Sequence, residues 1–112
     1  MYESEKILLM MKSDMDVLKE QGIRVTTDIE KAKFGGAILY VSFHNEGTYS
    51  DFSKKYGEIL LLKNWKKVQK SPNKFCKDGV LTEFNENAGV SDGYLYSSII
   101  MEFNSSTKKR CS

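Results

Sequence analysis

Acid–base chemistry near neutral pH most often recruits histidine, because its pKa lies close to neutral, and this sequence holds one, His44. It follows an apolar run and precedes Asn45, Glu46, Thr48 and Tyr49, at a strand end of the kind that often carries catalytic side chains. A metal-independent ribonuclease could be built from His44 as base, Glu46 as acid or orienting group, and a lysine such as Lys63 to hold the phosphate. An isolated histidine in such a loop is more commonly structural, so the expectation is a protein that is not an enzyme.

Other catalytic patterns are missing. There is no GxSxG, and neither cysteine sits in an activating setting. The single His and the two Cys fall short of a tetrahedral zinc set. Asp14 and Asp16 stand two apart on a helix and face different ways. Gly35-Gly36 lacks the spacing of a phosphate loop, and Asn85-Glu86-Asn87 with Asp92 lacks EF-hand spacing. No cofactor and no metal are expected.

One charged feature rises above background. The formal net charge of +2 conceals a strong segregation. Residues 63–77 carry six lysines and no acid, residues 78–107 five carboxylates and no base, and residues 108–112 three further cations. Within the first segment, Lys63, Lys66, Lys67, Lys70, Lys74 and Lys77 are interleaved with Trp65 and Phe75. Lysines neutralise phosphates and aromatic rings stack on unpaired bases, the two contributions used by proteins that bind single strands without reading sequence. The tail Lys108-Lys109-Arg110 extends this footprint if it folds back nearby. The competing reading turns Trp65 inward over the sheet edge and leaves the lysines as a solvated face.

The 112 residues suffice for one domain around one core. Ser4 to Gln21 places Leu8, Met11, Met15 and Leu18 at helical spacing, an amphipathic helix ended by Gly22. Ile23 to Thr27 reads as a short strand, and Thr27 to Glu30 as a capping box opening a short helix from Asp28 to about Lys33. Ala37 to Phe43 is apolar on both faces and predicts a central strand. Ser50 then caps a second short helix through Tyr56, with Gly57 stopping it and Glu58 to Leu62 forming a buried strand. Lys63 to Lys77 reads as a loop. Val80 to Asn85 and Tyr94 to Phe103 read as a hairpin with a longer connection, and Asn104 to Ser112 as a frayed basic tail.

The internal helices are too short for parallel crossovers. The expected fold is therefore α+β, a mixed or antiparallel sheet of four to five strands with the long N-terminal helix on one face. The domain spans 1–103 and the tail 104–112. No signal peptide is visible, since the apolar run from Ile7 to Met11 follows Glu3 and Glu5. No run approaches the roughly 20 apolar residues of a membrane span, so no membrane partner is expected. Cys76 and Cys111 are expected as free thiols in a reducing cytoplasm, with a single disulfide as the alternative.

These readings converge on a small cytoplasmic binding or regulatory protein that occupies a macromolecular surface, most concretely a nucleic-acid backbone. The alternative partner is a protein, with two versions. An acidic protein surface would meet the same lysines. An inhibitor or immunity-type factor, of the kind phages and mobile elements use, would present Glu83, Glu86 and Asp92 or the Met-rich helix. Tyr40, Tyr94 and Tyr96 could pair two copies through an exposed sheet face.

Overall fold

The computed structural model describes residues 3–21, 23–33, 35–45 and 49–112. The Gly22 cap and the Glu46 and Thr48 candidates lie outside the described residues. Helix α1 (Glu3–Lys19) is the amphipathic helix expected, with Met11, Met15 and Leu18 buried at spacings of four and three. Asp14 and Asp16 do diverge: Asp14 is buried, and Asp16 lies 3.7 Å from Lys19 at the surface.

Among the described residues six strands form one sheet: β1 (Arg24–Lys33), β2 (Gly36–His44), β3 (Lys66–Lys67), β4 (Lys74–Lys77), β5 (Val80–Ser91) and β6 (Tyr94–Phe103). Their spatial order is β1-β2-β6-β5-β4-β3, and every neighbouring pair is antiparallel. The α+β class and the packing of α1 on one face agree with the expectation, whereas the strand count exceeds it. The inner face carries Ala37, Leu39, Val41 and Phe43 from β2, with Ile99, Met101 and Phe103 from β6. Each is spaced by two, as one face of a pleated strand requires. These residues close one core with α1 and with Phe52, Tyr56 and Leu60 of a second helix, α2 (Tyr49–Leu62).

Four local expectations are corrected. Residues 28–33 form no helix; they continue β1, pairing from Asp28↔Val41 to Lys33↔Gly36. The capping pattern Thr27–Glu30 loses to tertiary pairing, because Asp28 and Glu30 face α1 and bind Lys19 at 2.7 Å and Lys12 at 3.0 Å. Gly57 does not stop α2, which runs on to Leu62 in place of a strand. A Cβ at Gly57 would lie 2.8 Å from the Phe75 ring, so the glycine lets strand and helix approach. The β5–β6 hairpin closes on Asp92-Gly93, with φ of 51° and 79°, a tight two-residue turn in place of a longer loop. Finally, Asn104 to Ser112 is not frayed. Asn104 caps helix α3 (Ser105–Arg110) by accepting from the Thr107 amide while the Thr107 hydroxyl accepts from its own.

The cysteines are also corrected. Cys76 on β4 and Cys111 after α3 are joined in a disulfide, with Cα atoms 5.5 Å apart. The bond closes a loop across 35 residues of sequence and fastens the tail to the sheet edge beside the lysine-rich segment.

Candidate functional site

The lysine-rich segment is an ordered hairpin. Trp65 follows α2 and donates its backbone amide to the Leu60 carbonyl at 3.0 Å, ending the helix. Val68 donates to Lys74 O, Ser71 to Val68 O and Lys74 to Ser71 O, which fixes the β3–β4 connection. Asn64 and Lys70 hold φ of 70° and 64°, the left-handed geometry these turns require. Asn73 fastens the connection to β5 by donating from Nδ2 to Phe84 O at 2.9 Å.

The aromatic residues of this segment turn inward, against the stacking role expected of them. Trp65 and Phe75 are each only 2% exposed. The indole Nε1 donates to Asp14 Oδ2 at 2.8 Å, and the Phe75 ring packs on Gly57 and Phe84. Large apolar surface is worth more in the core than in solvent, and Asp14 supplies the buried partner that the indole N–H needs. Lys77 is likewise turned in, donating to the same Asp14 Oδ2 at 2.7 Å and lying 5.9 Å from the Trp65 ring centroid.

The other lysines face outward. Lys63, Lys66, Lys67 and Lys70 are exposed and Lys74 is half-buried, and among the described residues none of them forms an ion pair. Between β3 and the end of α3 lies a groove of about 400 Å³, lined by Lys66, Lys67, Lys77, Arg110 and the disulfide. The tail therefore does fold back, and Arg110 joins the lysine rim through Cys111. Sequence reasoning placed the tail here only conditionally; the lone pair of cysteines was the available signal. Lys108 is used elsewhere, 3.1 Å from Glu3 of α1.

The alternative acidic face is not gathered. Glu83 opposes Lys74 in the β4–β5 register, Glu86 lies in an irregular stretch of β5, and Asp92 sits in the turn. Glu83 pairs with Ile100 and Ser91 with Tyr94 on β6, so Glu83 and the turn at Asp92 stand roughly 20 Å apart along the sheet. Of the Met-rich helix, Met11 and Met15 are core and Met10 packs against it.

His44 ends β2 on the sheet face away from the helices. Its ring stacks on Tyr94 at 4.8 Å and meets Tyr96 edge-on at 4.9 Å, and its buried Nδ1 has no hydrogen-bond partner. Lys63 follows the far end of α2, whose 14 residues span about 21 Å. The structure thus does not bring Lys63 to His44. Among the described residues no three His, Cys, Asp or Glu side chains converge as metal ligands, and no helix is long and apolar enough to cross a membrane.

Comparison of the chain with protein-family models, curated proteins and solved structures finds no match.

Proposed function

We propose that this is a small non-enzymatic binding protein that holds a polyanion, most concretely a nucleic-acid phosphate backbone, through Lys63, Lys66, Lys67, Lys70 and Lys74 with Arg110. The observation that carries the reading is a contrast. Lys12, Lys19, Lys77 and Lys108 have carboxylate partners, whereas the lysines of this rim have none among the described residues and, unlike the likewise unpaired Lys6 on α1 or Lys31 and Lys33 on β1, are gathered in one segment beside Arg110. Cations held unpaired on a hydrogen-bonded hairpin are ready to replace the counterions condensed on a polyanion. Lysine acts there as a point charge, favouring backbone contact over base readout.

With Trp65 and Phe75 in the core, neither ring is left to stack on bases. The reading is accordingly of a binder that does not distinguish single strands from duplex. The Cys76–Cys111 bond fits an oxidising compartment better than the reducing cytoplasm expected from two free thiols. An acidic protein surface is the competing partner for the same lysines. Titration with labelled single-stranded and duplex DNA and RNA separates the two, because the proposal requires binding at low salt that is abolished in the Lys66→Glu, Lys67→Glu, Lys70→Glu variant. Absence of such binding sinks it.

A further inference from the structure

The face of the sheet opposite the helices is interrupted at one level by two irregularities. In β1 the register with β2 shifts between Val25 and Thr27, leaving Thr26 out of the ladder. In β5 the register with β6 shifts between Asn85 and Gly89, leaving residues 86–88 out. The central strands are continuous here, with Ser42↔Ser98, Phe43↔Ser97 and His44↔Tyr96 in unbroken succession. Thr27 opposes Ser42 and Asn85 opposes Ser98, so both bulges fall just beyond the same row, one on either side of the central pair. Bulges bend a strand and re-aim its side chains; two at one level, on flanking strands, make a concavity.

That concavity has a volume of about 480 Å³ and is lined by Thr26, Thr27, Tyr40, Ser42, Tyr96 and the bulged backbone at Gly89. This lies within the roughly 300–1,000 Å³ range of small-molecule sites. Its walls are fixed. The Thr26 and Ser42 hydroxyls lie 3.0 Å apart in a hydrogen bond. The β5 bulge is braced from beneath by fully buried Ser97, which donates to Glu86 O at 2.7 Å and accepts from Asn45 Nδ2 at 2.8 Å.

The lining selects a ligand chemistry. Five of the lining side chains bear hydroxyls, two of them those of tyrosines, the remainder being Ala88, Gly89 and Val90, and none is charged. Rotatable hydroxyls both donate and accept, which suits a ligand whose own hydroxyls do the same. The tyrosine rings offer flat apolar faces for a ring bearing C–H groups. The absence of charge removes the attraction for phosphate that the lysine rim supplies elsewhere. We infer that this groove binds an uncharged sugar ring, as one unit of a neutral glycan, at a site separate from the lysine rim.

The test is a titration of the ¹⁵N-labelled, disulfide-intact protein with neutral tetrasaccharides of glucose, mannose, galactose and N-acetylglucosamine at millimolar concentration, read by amide chemical shifts. One series is expected to shift the amides of residues 26–27, 40–42 and 88–90 and of Tyr96. Tyr96→Ala should weaken that sugar at least tenfold and Thr27→Val about threefold, both with unchanged circular dichroism. Thr27 is exposed on β1, so its variant remains informative if Tyr96→Ala unfolds. The inference is overturned if no tetrasaccharide shifts these amides, if the shifts map to residues 63–77, or if neither variant weakens binding. Equal or larger shifts with uncharged nucleosides would also overturn it, by assigning the groove to flat heteroaromatic rings.

Discussion

The Trp65 indole donates its Nε1–H to the Asp14 carboxylate of α1 at 2.8 Å. The same oxygen receives Lys77 Nζ at 2.7 Å, so one buried carboxylate joins the first helix, the start of the lysine hairpin and its last strand. A buried carboxylate is tolerable only with such partners. Replacing Asp14 with Ala leaves an indole N–H and a largely buried ammonium without their acceptor, and should cost about 3 kcal/mol. Urea unfolding at neutral pH measures it. A loss within about 0.5 kcal/mol would show that the carboxylate does not join these elements.

Gly57 is a second joint. In an exposed helix interior Gly→Ala stabilises by about 1 kcal/mol. Here the added methyl would meet the buried Phe75 ring at 2.8 Å, and overpacking costs about 1–3 kcal/mol. Gly57→Ala should therefore lower the thermal midpoint; a raised midpoint would contradict the close approach.

The disulfide ties down the tail. Closing a loop across 35 residues constrains the unfolded chain by about 3–4 kcal/mol in the entropic model. The Cys76→Ser, Cys111→Ser protein should lose stability of that order in denaturant. It should also bind polyanions severalfold more weakly at low salt, because Arg110 is no longer held beside Lys66 and Lys67. Unchanged affinity would remove Arg110 from the site.

Alkaline pH should destabilise the protein through Tyr56. Burial raises its pKa above the ordinary value of 10.0, since the phenolate is penalised in the core. The unfolded chain then loses its proton at lower pH than the folded chain, so stability is full below pH 10 and falls as pH rises beyond it. Lys19, raised from 10.5 chiefly by its hydrogen bond to Asp28, acts in the same direction, weakly because the pair is largely exposed. Tyr56→Phe should flatten the decline in stability that sets in as pH rises beyond 10.0. An unaltered decline would assign it to other groups.

Where periodicity was long and one-sided, the sequence was legible. α1, β2 and β6 follow from apolar spacing, because each buries one face against the same core. Local signals misled where tertiary contacts outweighed them. Thr27–Glu30 has the residues of a helix cap, yet its two carboxylates find lysines on α1, and an edge strand results. Gly57 reads as a stop, but its missing side chain accommodates Phe75. The candidate site was half legible. The lysine cluster is apparent in the charge count, whereas the burial of Trp65 depends on Asp14, 51 positions away, and no local pattern encodes that pairing. The concavity opposite the helices depends on two bulges in strands that neither abut nor adjoin in sequence, and periodicity carries no trace of their alignment.

The polyanion account is tested most directly by the salt dependence of binding. Fluorescence anisotropy of labelled single-stranded and duplex oligonucleotides across a salt series gives log Kobs against log salt. With roughly five phosphate contacts, the account predicts a slope of about −3 to −5. It also predicts single-strand and duplex affinities within about threefold of each other, and loss of binding in the Lys66→Glu, Lys67→Glu, Lys70→Glu variant. No binding at low salt, a flat salt dependence, or full binding by the triple variant would contradict it.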